Sequence, residues 1–403
     1  MIRTLTTADD VAGVLDSMAP LRPFSAEAVA LLADVSRRLL FDAEARRHPD
    51  LQALGFWLRP AGLARLGERM GGRLLVPRGL AFHVPPANVG TLFAYGWALS
   101  LLAGNCNVVR LPSRGAAEQG VLLRVIGAAL EAAGAEVRQA SRFVRYGHDD
   151  ALSGALSQAA DVRVIWGGDA TVRHFRALPV NPRGVDVVFP DRFSWAVLAA
   201  DAVLAADAAR LARLAEGLAR DVFWFGQKAC SSPRLVVWCG SPEDSDRAAV
   251  RLYPLLGAEG ERLNPAEADV GGTLARHLFL HQAALDMPVT AVDTTGALAV
   301  LRLAPDVAAE ALKGPHAGGG VVYDVRVPTL AAARRLVGPR DQTLVHFGIP
   351  TAELEDFARA VNGRGLDRLV PAGEALAFDV VWDGVDLLAA FTKIVTVRGG
   401  GTE

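Results

Sequence analysis

From about Ser25 to Met70 apolar residues recur at three- and four-residue spacing, and Pro49 and Pro60 stand where proline suits a first turn, so the chain opens on a helical preface. The period then changes. Short β-branched or apolar runs at 80–84, 107–111, 142–146 and 162–165 alternate with longer Ala- and Leu-rich stretches at 91–102 and 116–133. Such alternation predicts strands and helices in turn, hence a parallel sheet covered on both faces. Ligands of that architecture bind beyond the carboxyl ends of the strands, so residues directly after each strand are the first candidates for function. Past Asp191 a second α/β section begins, with strands at 197–199, 235–238 and 321–325 and a mostly helical stretch at 202–225. Gly318-Gly319-Gly320 reads as a turn before the last of these strands. The expected divisions are 1–190, 191–365 and 366–403, with a frayed tail at 399–403.

Composition narrows the function classes. A chain of 403 residues, 51% hydrophobic, can bury a large core, and a net charge of -2 without a dense basic run argues against a nucleic-acid partner. The glycine-broken apolar stretch near 92–102 is too short to span a bilayer, and Met1-Ile2-Arg3-Thr4-Leu5 leads into acidic residues rather than a signal-peptide core. The cytoplasm is the expected compartment. Three widely spaced cysteines make neither a disulfide framework nor a CxxC metal site. His277 and His281 lie four apart without a third ligand, so no metal is assigned, and His83 and His346 read as buried, satisfied histidines.

The candidate chemistry centres on Cys230. In Phe225-Gly226-Gln227-Lys228-Ala229-Cys230-Ser231-Ser232-Pro233-Arg234 one thiol is held between a helical stretch and a strand by a glycine, a glutamine and a proline. A thiolate attacks thioesters and aldehydes near neutral pH and leaves an adduct still open to reduction. Cys106 and Cys239 lack such a frame and read as small core residues. Gly167 and Gly168 follow a strand and open a helix, where backbone N–H groups can meet a pyrophosphate, and Asp169 or Thr171 can cap that helix.

Two upstream segments carry a resemblance. Phe82-His83-Val84-Pro85-Pro86-Ala87-Asn88-Val89-Gly90 and Ala103-Gly104-Asn105-Cys106-Asn107-Val108-Val109-Arg110-Leu111-Pro112-Ser113-Arg114 resemble the Pro-x-Asn turn and the Ala-Gly-Asn strand of the aldehyde dehydrogenase superfamily, and the frame of Cys230 resembles its nucleophile segment. Within it, Ile165-Trp166-Gly167-Gly168-Asp169-Ala170, the Cys230 frame, Leu366-Asp367-Arg368-Leu369-Val370-Pro371-Ala372-Gly373 and Trp382-Asp383-Gly384 resemble the LuxC-type acyl-CoA reductases over roughly 75–395.

The resemblance implies an α/β fold with a Rossmann-type cofactor domain after the helical preface (1–190), a catalytic domain (191–365), and a segment (366–403) that returns to the first domain or serves as an oligomerisation arm. It implies reduction of an acyl thioester, on CoA or acyl carrier protein, through an acyl-Cys230 intermediate, with the Asn88 amide and the Cys230 N–H as oxyanion donors. Pro86, Gly167, Gly168, Asp169, Arg110, Ser113 and Arg114 are the cofactor candidates. Arginine stands where NAD-linked relatives carry a ribose-binding acid, which favours NADPH and leaves NADH open. The superfamily's water-activating Glu-Leu-Gly-Gly has no counterpart at 186–192, where Asp191 is expected to pair with Arg192; its later Glu-x-Phe-Gly-Pro has none either, with Asp341-Gln342-Thr343 nearest to it. Homo-oligomers are common among relatives, and 379–385 is the candidate arm. The alternatives are an NAD(P)-dependent aldehyde dehydrogenase, an acyl-phosphate reductase, and a noncatalytic acyl-binding scaffold.

Overall fold

The computed structural model describes residues 2–112, 117–263 and 270–398, and its contacts divide the chain into two compact units, Met1–Pro190 with Phe378–Glu403, and Asp191–Ala377. In the first unit the helical preface begins where Ser25 accepts the Ala28 N–H and caps Ala26–Phe41. Pro49 and Pro60 open Pro49–Trp57 and Pro60–Arg69, where their missing N–H is not needed. The helices accompany a six-stranded, wholly parallel sheet ordered Ile2–Thr4, Ser141–Arg145, Cys106–Arg110, Leu80–Val84, Val162–Trp166, Val185–Phe189. Strand order reverses between Leu80–Val84 and Val162–Trp166, the topological switch point of a doubly wound fold.

Helix Leu92–Leu102 shows no amphipathic face because every residue in it is buried. Past its end Gly104 takes φ +88°, and a Cβ there would lie 2.5 Å from the Leu21 carbonyl. Asn105 then ties three segments together: its Oδ1 accepts the Gly79 N–H at 3.0 Å, and its amide donates to the Ser100 and Phe391 carbonyls at 3.2 and 3.0 Å. The last segment closes on this unit as Thr392–Ile394 pairs antiparallel with Leu75–Pro77.

The second unit holds a seven-stranded sheet ordered Val289–Thr295, Leu298–Leu303, Val321–Val327, Pro233–Cys239, Phe193–Ala199, Asp341–Phe347, Arg368–Pro371, in which only the first pair is antiparallel. Alternate residues of the strands feed separate cores on the two faces, Leu235, Val237 and Leu301 on one, Val236, Trp238 and Val300 on the other. The structure changes three expected boundaries. The strand at 197–199 runs the full Phe193–Ala199. The helix at 202–225 is two helices, Ala200–Ala205 and Ala208–Phe223, because Asp207 accepts the Arg210 N–H at 2.7 Å and starts the second. The segment expected to leave at 366 stays with this unit through Ala377, since Arg368–Pro371 extends the sheet beside Asp341–Phe347. No helix among the described residues is long and apolar enough to cross a membrane.

Candidate active site

In the first unit the expected residues collect at the switch point. Val84 pairs with Ile165, so the Pro85–Gly90 loop and the Gly167-Gly168 turn leave neighbouring strands at their carboxyl ends. Asn88 is exposed on that loop and Pro86 half-buried. Gly168, rather than Asp169 or Thr171, is the N-cap of Asp169–Ala177, and as glycine it brings no capping side chain. Asp169 lies in its first turn, where a carboxylate complements the helix dipole. Gly167 donates to the Phe189 carbonyl at 3.2 Å, and a Cβ there would come within 3.0 Å of the Thr171 side chain.

Beside this turn lies a cleft of about 280 Å³ whose lining includes Arg110, His148, Asp150, Thr171, His174 and Phe175. Arg110 is fixed in it: its guanidinium stacks 4.6 Å from the Tyr146 ring centroid and donates to the Gly147 carbonyl at 3.0 Å. His174 Nε2 lies 3.0 Å from Asp150 on the same wall. Ser113 and Arg114 lie outside the described residues. His83 is buried and bonded to Asn107 Oδ1 at 2.9 Å, and burial pushes its pKa down to about 4, so it is a neutral core residue.

In the second unit the nucleophile segment takes an unusual backbone. Phe225, Gly226 and Gln227 all have positive φ, at 54°, 58° and 62°, which for the two non-glycine residues costs roughly 1–2 kcal/mol each. Gln227 holds the turn. Its buried amide donates to the Pro233 and Val321 carbonyls, both at 2.8 Å, and its Oε1 accepts the Gly320 N–H at 2.9 Å. The three glycines, expected as a plain turn, form the matching cradle: all have positive φ, Gly319 donates to the Gly226 carbonyl at 3.0 Å, and a Cβ on Gly318 would lie 2.6 Å from that same oxygen.

Cys230 emerges from this frame half-buried, whereas Cys106 and Cys239 are buried and their thiols are pushed up to about 11 and about 12 by desolvation. Ser194 donates its hydroxyl to the Cys230 carbonyl at 2.7 Å, and Gln342 donates its amide to the Cys230 sulfur at 3.4 Å. Burial holds Arg234 below the usual arginine range, and attraction to Cys230 and then Asp191 works the other way, so a cation lies in the field of the thiol. His316 Nδ1 accepts the Gly318 N–H at 3.1 Å; burial and then Arg234 push this histidine down to about 3, leaving it neutral.

These groups share one end of the sheet. Ser194, Cys230, Gln342 and the glycine cradle each stand at or just before the amino end of a parallel strand, the end opposite to the one expected from the general rule for α/β sheets. Asp341-Gln342-Thr343, sought near a cofactor ribose, brings Gln342 to the sulfur instead, while Asp341 pairs in the interior with Lys313. Arg192 pairs with Asp367 at 2.5 Å, and Asp191 lies 3.9 Å from Arg340. Sequence reasoning missed Ser194 and looked for Gln342 near the cofactor; strand register brings both to Cys230.

The model of the acyl-CoA reductase (LuxC) family matches residues 69–394. This chain belongs to the acyl-CoA reductase family. It is therefore an oxidoreductase acting on acyl groups or aldehydes. No curated protein matches it. Solved structures share the fold at low identity. An aldehyde dehydrogenase 21 from Physcomitrella patens, in complex with the reaction product succinate, is 15% identical, with a TM-score of 0.69 over 99% of this chain and 92% of its own. A putative aldehyde dehydrogenase from Burkholderia cenocepacia is 18% identical, with a TM-score of 0.65 over 92% and 86%. A glyceraldehyde-3-phosphate dehydrogenase from Methanocaldococcus jannaschii, complexed with NADP, is 13% identical, with a TM-score of 0.63 over 92% and 89%. The chain is thus an acyl-CoA reductase family member on an aldehyde-dehydrogenase-like fold.

Proposed function

We propose that the chain reduces an acyl thioester, delivered on CoA or acyl carrier protein, to the aldehyde with NADPH through an acyl-Cys230 intermediate. The single observation that carries this reading is the presentation of Cys230: half-exposed at a strand's amino end, in a strained frame, with a donor on its sulfur and Arg234 in its field. The Cys230 thiolate forms a C–S bond to the acyl carbon, and the carrier's thiol leaves with the electron pair of the broken C–S bond and takes up a proton. A reduced nicotinamide, when bound, would supply hydride to that carbon. The resulting thiohemiacetal oxyanion draws on the Asn88 amide and the Cys230 N–H, and its collapse breaks the bond to Cys230 and frees the aldehyde and the thiolate. Two acids near this segment are engaged, Asp191 facing Arg340 and Asp341 facing Lys313, which supports passage of the acyl group to reduction rather than to water.

The cofactor candidates fit a dinucleotide. A helix N-terminus opened by glycine suits the pyrophosphate, and the cleft beside it carries a fixed guanidinium suited to a 2′-phosphate. Arg110→Gln should raise KM for NADPH and leave NADH use unchanged; an unmoved preference removes Arg110 from the phosphate site. Self-association is part of the proposal. The Thr392–Ile394 and Leu75–Pro77 ribbon leaves Leu74, Ile394 and Val397 exposed in the first unit, whereas the expected arm at 379–385 folds partly into a small hairpin, Val381–Trp382 against Val385–Asp386. A monomeric mass by light scattering would refute it. The cytoplasm, with its acyl thioesters and reduced nicotinamide, is the proposed compartment.

The deciding experiment supplies acyl-CoA and NADPH. Aldehyde, free CoA and an acyl adduct seen by intact mass in wild type but not in Cys230→Ala are expected; carboxylic acid as the main product refutes the reading.

A further inference from the structure

We infer that Gln342 is a catalytic group that holds the Cys230 sulfur as thiolate, and that Ser194 is the residue that positions it. The inference rests on Cys230 being the nucleophile. Gln342 and Ser194 are both fully buried, on the strands Asp341–Phe347 and Phe193–Ala199. The Gln342 amide reaches the sulfur at 3.4 Å. Ser194 Oγ donates to the Cys230 carbonyl at 2.7 Å, accepts the Thr343 N–H at 3.2 Å, and stands 3.4 Å from Gln342 Oε1. One hydroxyl therefore fastens the nucleophile's backbone to the strand that carries Gln342, and it lies on the oxygen end of that amide, so the nitrogen end faces the sulfur.

A neutral donor aimed at sulfur favours the charged form over the thiol and exchanges no proton itself. The charges around Cys230 are separate from this donor. Arg234 lies in the thiol's field, Lys228 is two residues back, Asp191 and Arg340 act on Arg234, and the buried Tyr323 and His316 feel that same arginine. Removing the amide leaves all of them in place.

The test is the pH profile of Cys230 alkylation by iodoacetamide in the full chain, followed by peptide mapping, for wild type, Gln342→Met, Gln342→Glu and Ser194→Ala. Gln342→Met keeps the bulk and removes the donor, and its midpoint should rise by about one pH unit, which is about tenfold slower alkylation below both midpoints. Gln342→Glu keeps the shape and places a like charge at the sulfur, so its midpoint should rise further. Ser194→Ala should show a smaller rise, with kcat falling and KM for acyl-CoA little changed. An unmoved midpoint in Gln342→Met, or in Gln342→Glu and Ser194→Ala should the first not fold, overturns the inference. The two readings fail separately: wild-type protein that forms no acyl adduct at Cys230 sinks the nucleophile, whereas normal acylation with unmoved midpoints sinks only the role of Gln342.

Discussion

Replacing Gln227 by glutamate tests whether the nucleophile frame is held by one buried amide. The substitution preserves shape and still accepts the Gly320 N–H, but it removes both donors to the Pro233 and Val321 carbonyls and sets a carboxylate oxygen against them at 2.8 Å. Each stranded buried carbonyl costs about 1–3 kcal/mol, so two cost about 4 kcal/mol before any repulsion is counted. That is a large share of the roughly 5–15 kcal/mol that stabilises a domain. With a urea m-value of about 2–3 kcal/mol/M, the midpoint at pH 8 should fall by about 1.5 M. The pH dependence gives a second handle. Burial and the two carbonyls raise the new carboxyl's pKa above its unfolded value of about 4.3, and the protonated form restores one donor. A group raised in the folded state contributes stability that is full below the unfolded pKa and lost as pH rises through the folded one. The deficit relative to wild type should therefore shrink from pH 8 to pH 5. Urea titrations followed by circular dichroism at both values decide it: a wild-type midpoint at pH 8, or a deficit independent of pH, refutes the assignment of Gln227 as the clamp.

Asn88→Ala should lower kcat by about 10²–10³ if its amide meets the developing oxyanion, with little change in thermal stability because the residue is exposed; steady-state kinetics and a melt separate the two. Lys313→Met strands the buried Asp341 carboxylate, whose partner also rests over the Phe193 ring at 4.0 Å, and should cost about 3–5 kcal/mol, whereas adding Asp341→Asn should recover much of it; thermal melts in which the double variant is no better than the single would contradict the pairing. His83 is held neutral down to about pH 4, below its unfolded pKa near 6.5, so its contribution is present above 6.5 and lost as pH falls toward 4, on the order of 3 kcal/mol in all. Urea titrations at pH 7 and 4.5 should show that loss in wild type and a flatter profile in His83→Gln.

Four of the six strands of the first sheet and three of the seven of the second were legible, because buried parallel strands read as largely apolar runs, as Leu235 to Trp238 does; Arg163 interrupts Val162–Trp166 yet is itself buried, paired with Asp186. Where burial is partial the signal fades. Arg368–Pro371 is short and half-exposed, so its place at the sheet edge was not visible and the segment seemed to leave too early. Cys230 was legible for a different reason: its glycine, glutamine and proline are neighbours in the chain, and a strained turn must be written locally.

Ser194 and Gln342 had no such local signature, being 148 residues apart and inside strands that otherwise look like core. What joins them is register. Phe193 pairs with Asp341 and Ser194 with Pro233, so the amino ends of three parallel strands fall level, and the second residues Ser194 and Gln342 are brought to the turn that precedes Pro233–Cys239. A buried serine or glutamine in the body of such a strand would need a partner in the apolar core, which is costly. At the strand's amino end the partner is the loop carrying the nucleophile, and the same two residues that look like packing errors in the sequence become hydrogen-bond donors to the sulfur and its carbonyl.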